Sequence, residues 1–101
     1  MKVQEVIDLI NERDDLYSLY DAEYTINPYG STRCKKVADG LELDEHRWYS
    51  IATDVYECED GFVGVTGAYQ SFSESQTWED IGVQCGAEEY KSVQTTTYVP
   101  K

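Results

Sequence analysis

Carboxylates and aromatic rings are the side chains of this 101-residue chain whose types and spacing could do chemistry. Between Trp48 and Tyr90 there is no Lys or Arg, yet the stretch holds nine carboxylates: Asp54, Glu57, Glu59, Asp60, Glu74, Glu79, Asp80, Glu88 and Glu89. Duplex DNA carries one charge per roughly 1.7 Å of helix axis, so carboxylates gathered on one face of a small domain would present a comparable density. A protein built to grip phosphates with Lys and Arg would be attracted to such a face and steered onto it. Tyr56, Tyr69, Trp78 and Tyr90 are interleaved with these charges and add residue types enriched at interface hot spots. The plain counterpart of this pattern is a solvated acidic surface that serves solubility.

Other chemistries find less support. Glu57, Glu59 and Asp60 precede Gly61, but a calcium loop needs its glycine at the sixth position and a glutamate at the twelfth. A tight turn explains Asp60-Gly61 better. His46 is the only histidine, and its pairing with Cys34, Cys58 or Cys85 is the only nucleophile–base combination on offer. No cysteine-enzyme motif surrounds them, and small buried core residues are the expected role of the three thiols. Glu79-Asp80 and Glu88-Glu89 are adjacent, so on a strand they point to opposite faces and do not share a proton. There is no P-loop, GxGxxG or GxSxG, and no CxxC pair for zinc. The chain is therefore expected to be no enzyme and to need no metal or cofactor.

Eight Lys plus Arg against twenty Asp plus Glu give a formal charge of −12. Nucleic acid and anionic membrane are themselves polyanions, so direct binding to either is disfavoured, and a basic partner protein is favoured. Arg33, Lys35 and Lys36 form the one basic cluster, expected to pair with nearby acids or to protect a sheet edge. The odd, widely spaced cysteines suit reduced thiols, and Met1-Lys2-Val3 does not open a signal peptide. A cytoplasmic location is expected.

These side chains must be held by a single domain spanning residues 1–101. Val3, Val6, Ile7 and Ile10 recur at helical spacing, with Leu9 and Leu16 on a neighbouring row. This predicts one N-terminal helix over residues 3 to 16, broken near Asp14-Asp15, either of which could cap a short second piece through Leu16, Leu19 and Tyr20. Asn27-Pro28-Tyr29-Gly30-Ser31 ends it. Strands are predicted over 32–38, then after an Asp39-Gly40 turn through Leu41 and Leu43, and most strongly over 47–58. Glu59-Asp60-Gly61 turns the chain into a strand over 62–69, where Gly64 and Gly67 allow a bulge or a close aromatic neighbour. A polar loop over 70–76 and a helical turn at 78–82 precede final strands over 88–93 and 95–99, stopped by Pro100. The connections are too short for parallel crossovers, so the expected fold is α+β: an N-terminal helix packed on an antiparallel sheet of four to five strands.

His46-Arg47-Trp48-Tyr49, the turn Glu59-Asp60-Gly61-Phe62-Val63-Gly64-Val65 and the ending Thr96-Thr97-Tyr98-Val99-Pro100-Lys101 complete the picture. In size, charge and layout the chain resembles the small acidic anti-CRISPR and anti-restriction proteins of bacteriophages and mobile elements. Those inhibitors share no signature, so no residue role transfers by position. The resemblance implies a stoichiometric inhibitor that works in a bacterial host's cytoplasm. It would occupy the DNA-binding surface of a CRISPR effector or restriction nuclease, with contacts from the nine carboxylates and their aromatic neighbours. The alternative is an acidic accessory domain that binds a small ligand or divalent metal in an aromatic-lined sheet pocket.

Overall fold

The computed structural model describes residues 1–29, 31–45, 49–71, 84–92 and 98–101. It is an α+β domain, and the described residues form two helices, α1 (Val3–Asn11) and α2 (Leu19–Ile26), and five strands. The strands are β1 (Lys35–Glu45), β2 (Tyr49–Cys58), β3 (Gly61–Ser71), β4 (Gly86–Ser92) and β5 (Tyr98–Pro100). They form one antiparallel, curled sheet in sequence order, β1-β2-β3-β4-β5.

The helical region is two helices rather than one. The first stops at Asn11, and Leu16 is buried beyond it in the connector. That connector lies against the sheet: the Ala68 N–H donates to the Tyr17 carbonyl and the Cys85 N–H to the Leu16 carbonyl. Ser18, not Asp14 or Asp15, then caps α2 by accepting the Asp21 N–H on its hydroxyl. The amphipathic stripe does its expected work. Val3, Val6 and Ile10 from α1 join Leu19, Ala22 and Ile26 from α2 in one core with Ala52, Tyr56, Val63 and Val65 of the sheet.

Each helix ends on an asparagine whose amide pairs with backbone elsewhere in the chain, Asn11 with β4 and Asn27 with the segment leading into β1. Asn11 donates to the Ala87 carbonyl and accepts the Ala87 N–H. Asn27 donates to the Cys34 carbonyl and accepts the N–H groups of Arg33 and Cys34. Arg33 completes the second clamp, its guanidinium donating to the Ile26 and Thr25 carbonyls at the end of α2. Two orphan carbonyls of the α2 terminus are thereby satisfied by a neighbouring segment of the chain.

β2 and β3 form a continuous hairpin with Glu59 and Asp60 at its tip, the turn expected there. Asp39-Gly40 is not a turn. It lies inside the single strand β1, whose pairing with β2 shifts register on either side of it. Gly40 sits at φ +65, and its N–H leaves the ladder to donate to Asp54 Oδ1 at 3.1 Å. Glycine is needed for the positive φ, and the local chemistry of a bulge and of a turn is the same. Gly64 has a different task. A side chain there would collide with the ring of Tyr90, which lies on it from the neighbouring strand β4. Pro100 does not stop the ladder but pairs with Tyr90 in the edge strand β5, where a missing N–H is tolerated. The expected loop over 70–76 overlaps the end of β3, and the helical turn at 78–82 lies outside the described residues.

Candidate functional site

Alternation along β2 decides which of the expected contact residues reach solvent. All of Ala52 to Tyr56 is buried, because one face of the strand lies under the helices and the other is covered as well. Asp54 is therefore 4% exposed, Tyr56 is fully buried in the core, and Tyr90 is 3% exposed. These three expected contact residues are corrected to interior ones. A ring that packs the sheet, as Tyr90 does on Gly64, has no surface left for a partner.

The remaining carboxylates do not share one face. In the strand register Glu57 stands opposite Phe62, and Glu88 opposite Gly64, on the sheet face away from the helices. Glu89 stands opposite core residue Val63, on the helix side, and pairs with Lys101 at 3.4 Å. Asp60 accepts the Val3 N–H at 2.8 Å, so it satisfies the start of α1. Glu59 lies 3.9 Å from the terminal ammonium. Glu74, Trp78, Glu79, Asp80 and His46 lie outside the described residues.

Two members of the basic cluster are engaged within the fold, while Lys35 is exposed. Arg33 ends α2, and Lys36 lies 3.1 Å from Glu23 and 3.8 Å from Asp54, the acid pairing expected of it. Burial, the largest influence, raises the Asp54 carboxyl above its ordinary range, against the opposing pull of the Gly40 N–H and the Lys36 charge. The Lys36 ammonium is raised too, because Glu23, Asp54 and Asp39 together outweigh its own partial burial. The pair thus favours the lysine's charge more than it favours the buried carboxylate's.

Above this pair is the largest exposed aromatic surface of the described residues. α2 turns Leu19, Ala22 and Ile26 to the core, which leaves Tyr20 and Tyr24, one turn apart, on the outside. They are 64% and 62% exposed, and Tyr29 just beyond the helix is 92% exposed. A recess of about 120 Å³ separates Tyr20 and Glu23 from Tyr69, with Lys36 and Asp54 among its walls. A second, more open hollow of about 300 Å³ lies on the other side of the same two residues, lined by Tyr24, Asn27, Pro28 and Tyr29. Of the expected aromatic contacts among the described residues, Tyr69 alone belongs to this surface. For Tyr20 and Tyr24 the helical stripe is the available signal, since what is not in line with Leu19, Ala22 and Ile26 faces outward; Tyr29 lies beyond the helix, among the turn formers of residues 27–31.

Cys34 and Cys85 are buried, and Cys58 is half-buried. Cys34 and Cys58 face each other with sulfurs 3.7 Å apart, and Cys85 is buried with its thiol directed to the Ser18 carbonyl. Burial pushes Cys58 and Cys85 each up to about 12, the reverse of an activated nucleophile. Among the described residues, no three His, Cys, Asp or Glu side chains converge as metal ligands, and no helix is long and apolar enough to cross a membrane. No protein-family model matches the chain, and neither a curated protein nor a solved structure does.

Proposed function

We propose that this domain is a non-catalytic inhibitor that binds a basic, nucleic-acid-binding protein and occupies its phosphate-gripping surface. The observation that supports the reading most is the fate of its positive charge. Of eight Lys and Arg, Arg13, Lys36 and Lys101 are paired with acids of the same chain and Arg33 is bound to the end of α2. Lys2, Lys35 and Lys91 remain exposed, and twenty acids against eight bases leave the formal −12 as the net field a partner meets. CRISPR effectors and restriction nucleases are the partner class suggested by the resemblance in size, charge and layout.

The experiment is a DNA-binding competition with purified CRISPR effectors and restriction nucleases. The protein should block DNA binding by one of them at stoichiometric concentration, and the block should fade steeply as salt rises. Charge reversal at Glu57 and Glu88 is a clean probe of the sheet face, because neither residue is engaged in the fold as Asp60 and Asp54 are. Unaltered inhibition in high salt would contradict an electrostatic mode, and failure against every nuclease would contradict the partner class. The accessory-domain alternative rests on the recess beside Lys36 and Asp54. Calorimetry with calcium or magnesium would favour it only by showing a saturable site that Asp54→Asn abolishes.

A further inference from the structure

We infer that the outer face of α2 is the contact surface, and that it takes arginine side chains of the partner between its exposed tyrosines. This deepens the reading of the domain as a binder of a basic protein, and rests on it. Charge alone does not choose a surface here, since carboxylates are spread over both helices and both sides of the sheet. Aromatic exposure does choose. Tyr20, Tyr24, Tyr29 and Tyr69 are the large hydrophobic residues left exposed among those described, and all four line the two hollows that meet at Tyr20 and Glu23. Contiguous exposed aromatics of this kind mark binding surfaces, whereas single exposed rings are ordinary.

The chemistry of the hollow specifies the occupant. Its walls offer ring faces together with the Glu23 carboxylate, and Asp21 lies on the same helix. A cation stacked on a tyrosine face and paired with a carboxylate satisfies both. Arginine meets this better than lysine, because its planar, weakly hydrated guanidinium stacks on rings while its fork still donates to an acid. The neighbouring recess already shows the simpler arrangement within the chain, where Lys36 reaches Glu23 at 3.1 Å. Tyrosine also supplies large, rigid contact area at small cost in conformational entropy. Glu23 is already held by Lys36, so a purely apolar partner would leave the exposed Asp21 carboxylate without a counter-charge.

The test is titration calorimetry of the full chain with a short poly-arginine peptide and a poly-lysine peptide of equal length, in moderate salt. The arginine peptide should bind more tightly. Tyr24→Ala combined with Tyr29→Ala should weaken it by about tenfold, a loss that marks both rings as real contacts though short of a hot spot. Tyr24→Phe should retain most of the affinity, because the ring face is kept. Glu12→Gln on α1 removes one exposed charge elsewhere and should change affinity little. Both altered rings are solvent-exposed, so the variants should unfold with unchanged midpoints, which circular dichroism checks. Equal affinity for the two peptides with no effect of the tyrosine substitutions would overturn the arginine site while leaving the electrostatic reading in place. Absence of binding to either peptide would remove both.

Discussion

The two helices lie on the same sheet, have nearly the same length and bury the same kind of stripe, yet their outer faces differ. α1 turns Gln4, Glu5, Asp8 and Glu12 to water and buries Val3, Val6 and Ile10 over β3 and β4. α2 buries Leu19, Ala22 and Ile26 over β3 but exposes Tyr20 and Tyr24. A charged outer face needs no further explanation, because hydration suffices to hold it. Exposed rings gain nothing comparable from water, so the second face is the one left with unused binding capacity. The difference separates positions that maintain the fold from positions available for a partner.

The largest effect that can break this comparison comes from the buried stripes. Ile10→Ala should cost about 2–5 kcal/mol in urea unfolding, whereas Tyr24→Ala should cost less than about 0.5 kcal/mol. A large loss at Tyr24 would mean that its ring supports the fold and is not held for a partner. Next come the two asparagine clamps. Asn11→Ala and Asn27→Ala each leave backbone groups without their side-chain partners; the part-buried Asn27 clamp should cost about 1–3 kcal/mol and the exposed Asn11 clamp about 0.5–1.5 kcal/mol. The Asn27 loss should be accompanied by earlier hydrogen exchange at the end of α2, where Arg33 also relies on the clamp. Asp60→Ala removes the acceptor at the start of α1 and should cost about 1 kcal/mol by the same unfolding assay. If the cost is negligible, Asp60 is free to serve as a surface charge after all.

Much of this arrangement was legible in the sequence, and the exceptions have identifiable causes. Helical spacing in Val3, Val6 and Ile10 and the Asp60-Gly61 turn are local signals, and both led to the observed α1 and β2–β3 hairpin. The Asp39-Gly40 bulge was not legible because a turn and a bulge ask the same of glycine. What distinguishes them is Asp54, fourteen residues away, which takes the Gly40 N–H. The second helix is half visible: Leu16, Leu19 and Tyr20 suggest a short helical piece, but the step to Ala22 and Ile26 that places Tyr20 and Tyr24 outside does not stand out. The gathering of carboxylates on one face depended on strand register and on which acids the fold itself employs. Neither follows from spacing, and Asp54 and Asp60 went to structural tasks.

The smallest effect concerns Asp54 and is visible only as a function of pH. Its folded-state carboxyl titrates above the ordinary 3.8, so across the window just above pH 3.8 the folded chain binds more protons than the unfolded one. Asp54 should therefore subtract stability as pH rises through that window. Asp54→Asn, which retains an acceptor for Gly40, should remove this part of the pH dependence and be tolerated at neutral pH. A variant that is much less stable at pH 7 would show that the ionised carboxylate with Lys36 is a net support.

The most direct test of the account is a mapping of backbone amide shifts in the full chain on titration with poly-arginine. Shifts concentrated in α2, around Tyr29 and at Tyr69, with α1 nearly unmoved, are the expected result. Equal shifts over Glu5, Asp8 and Glu12 of α1 would contradict it. In that case the acidic surface would act as a whole, and the tyrosines would have no special part in binding.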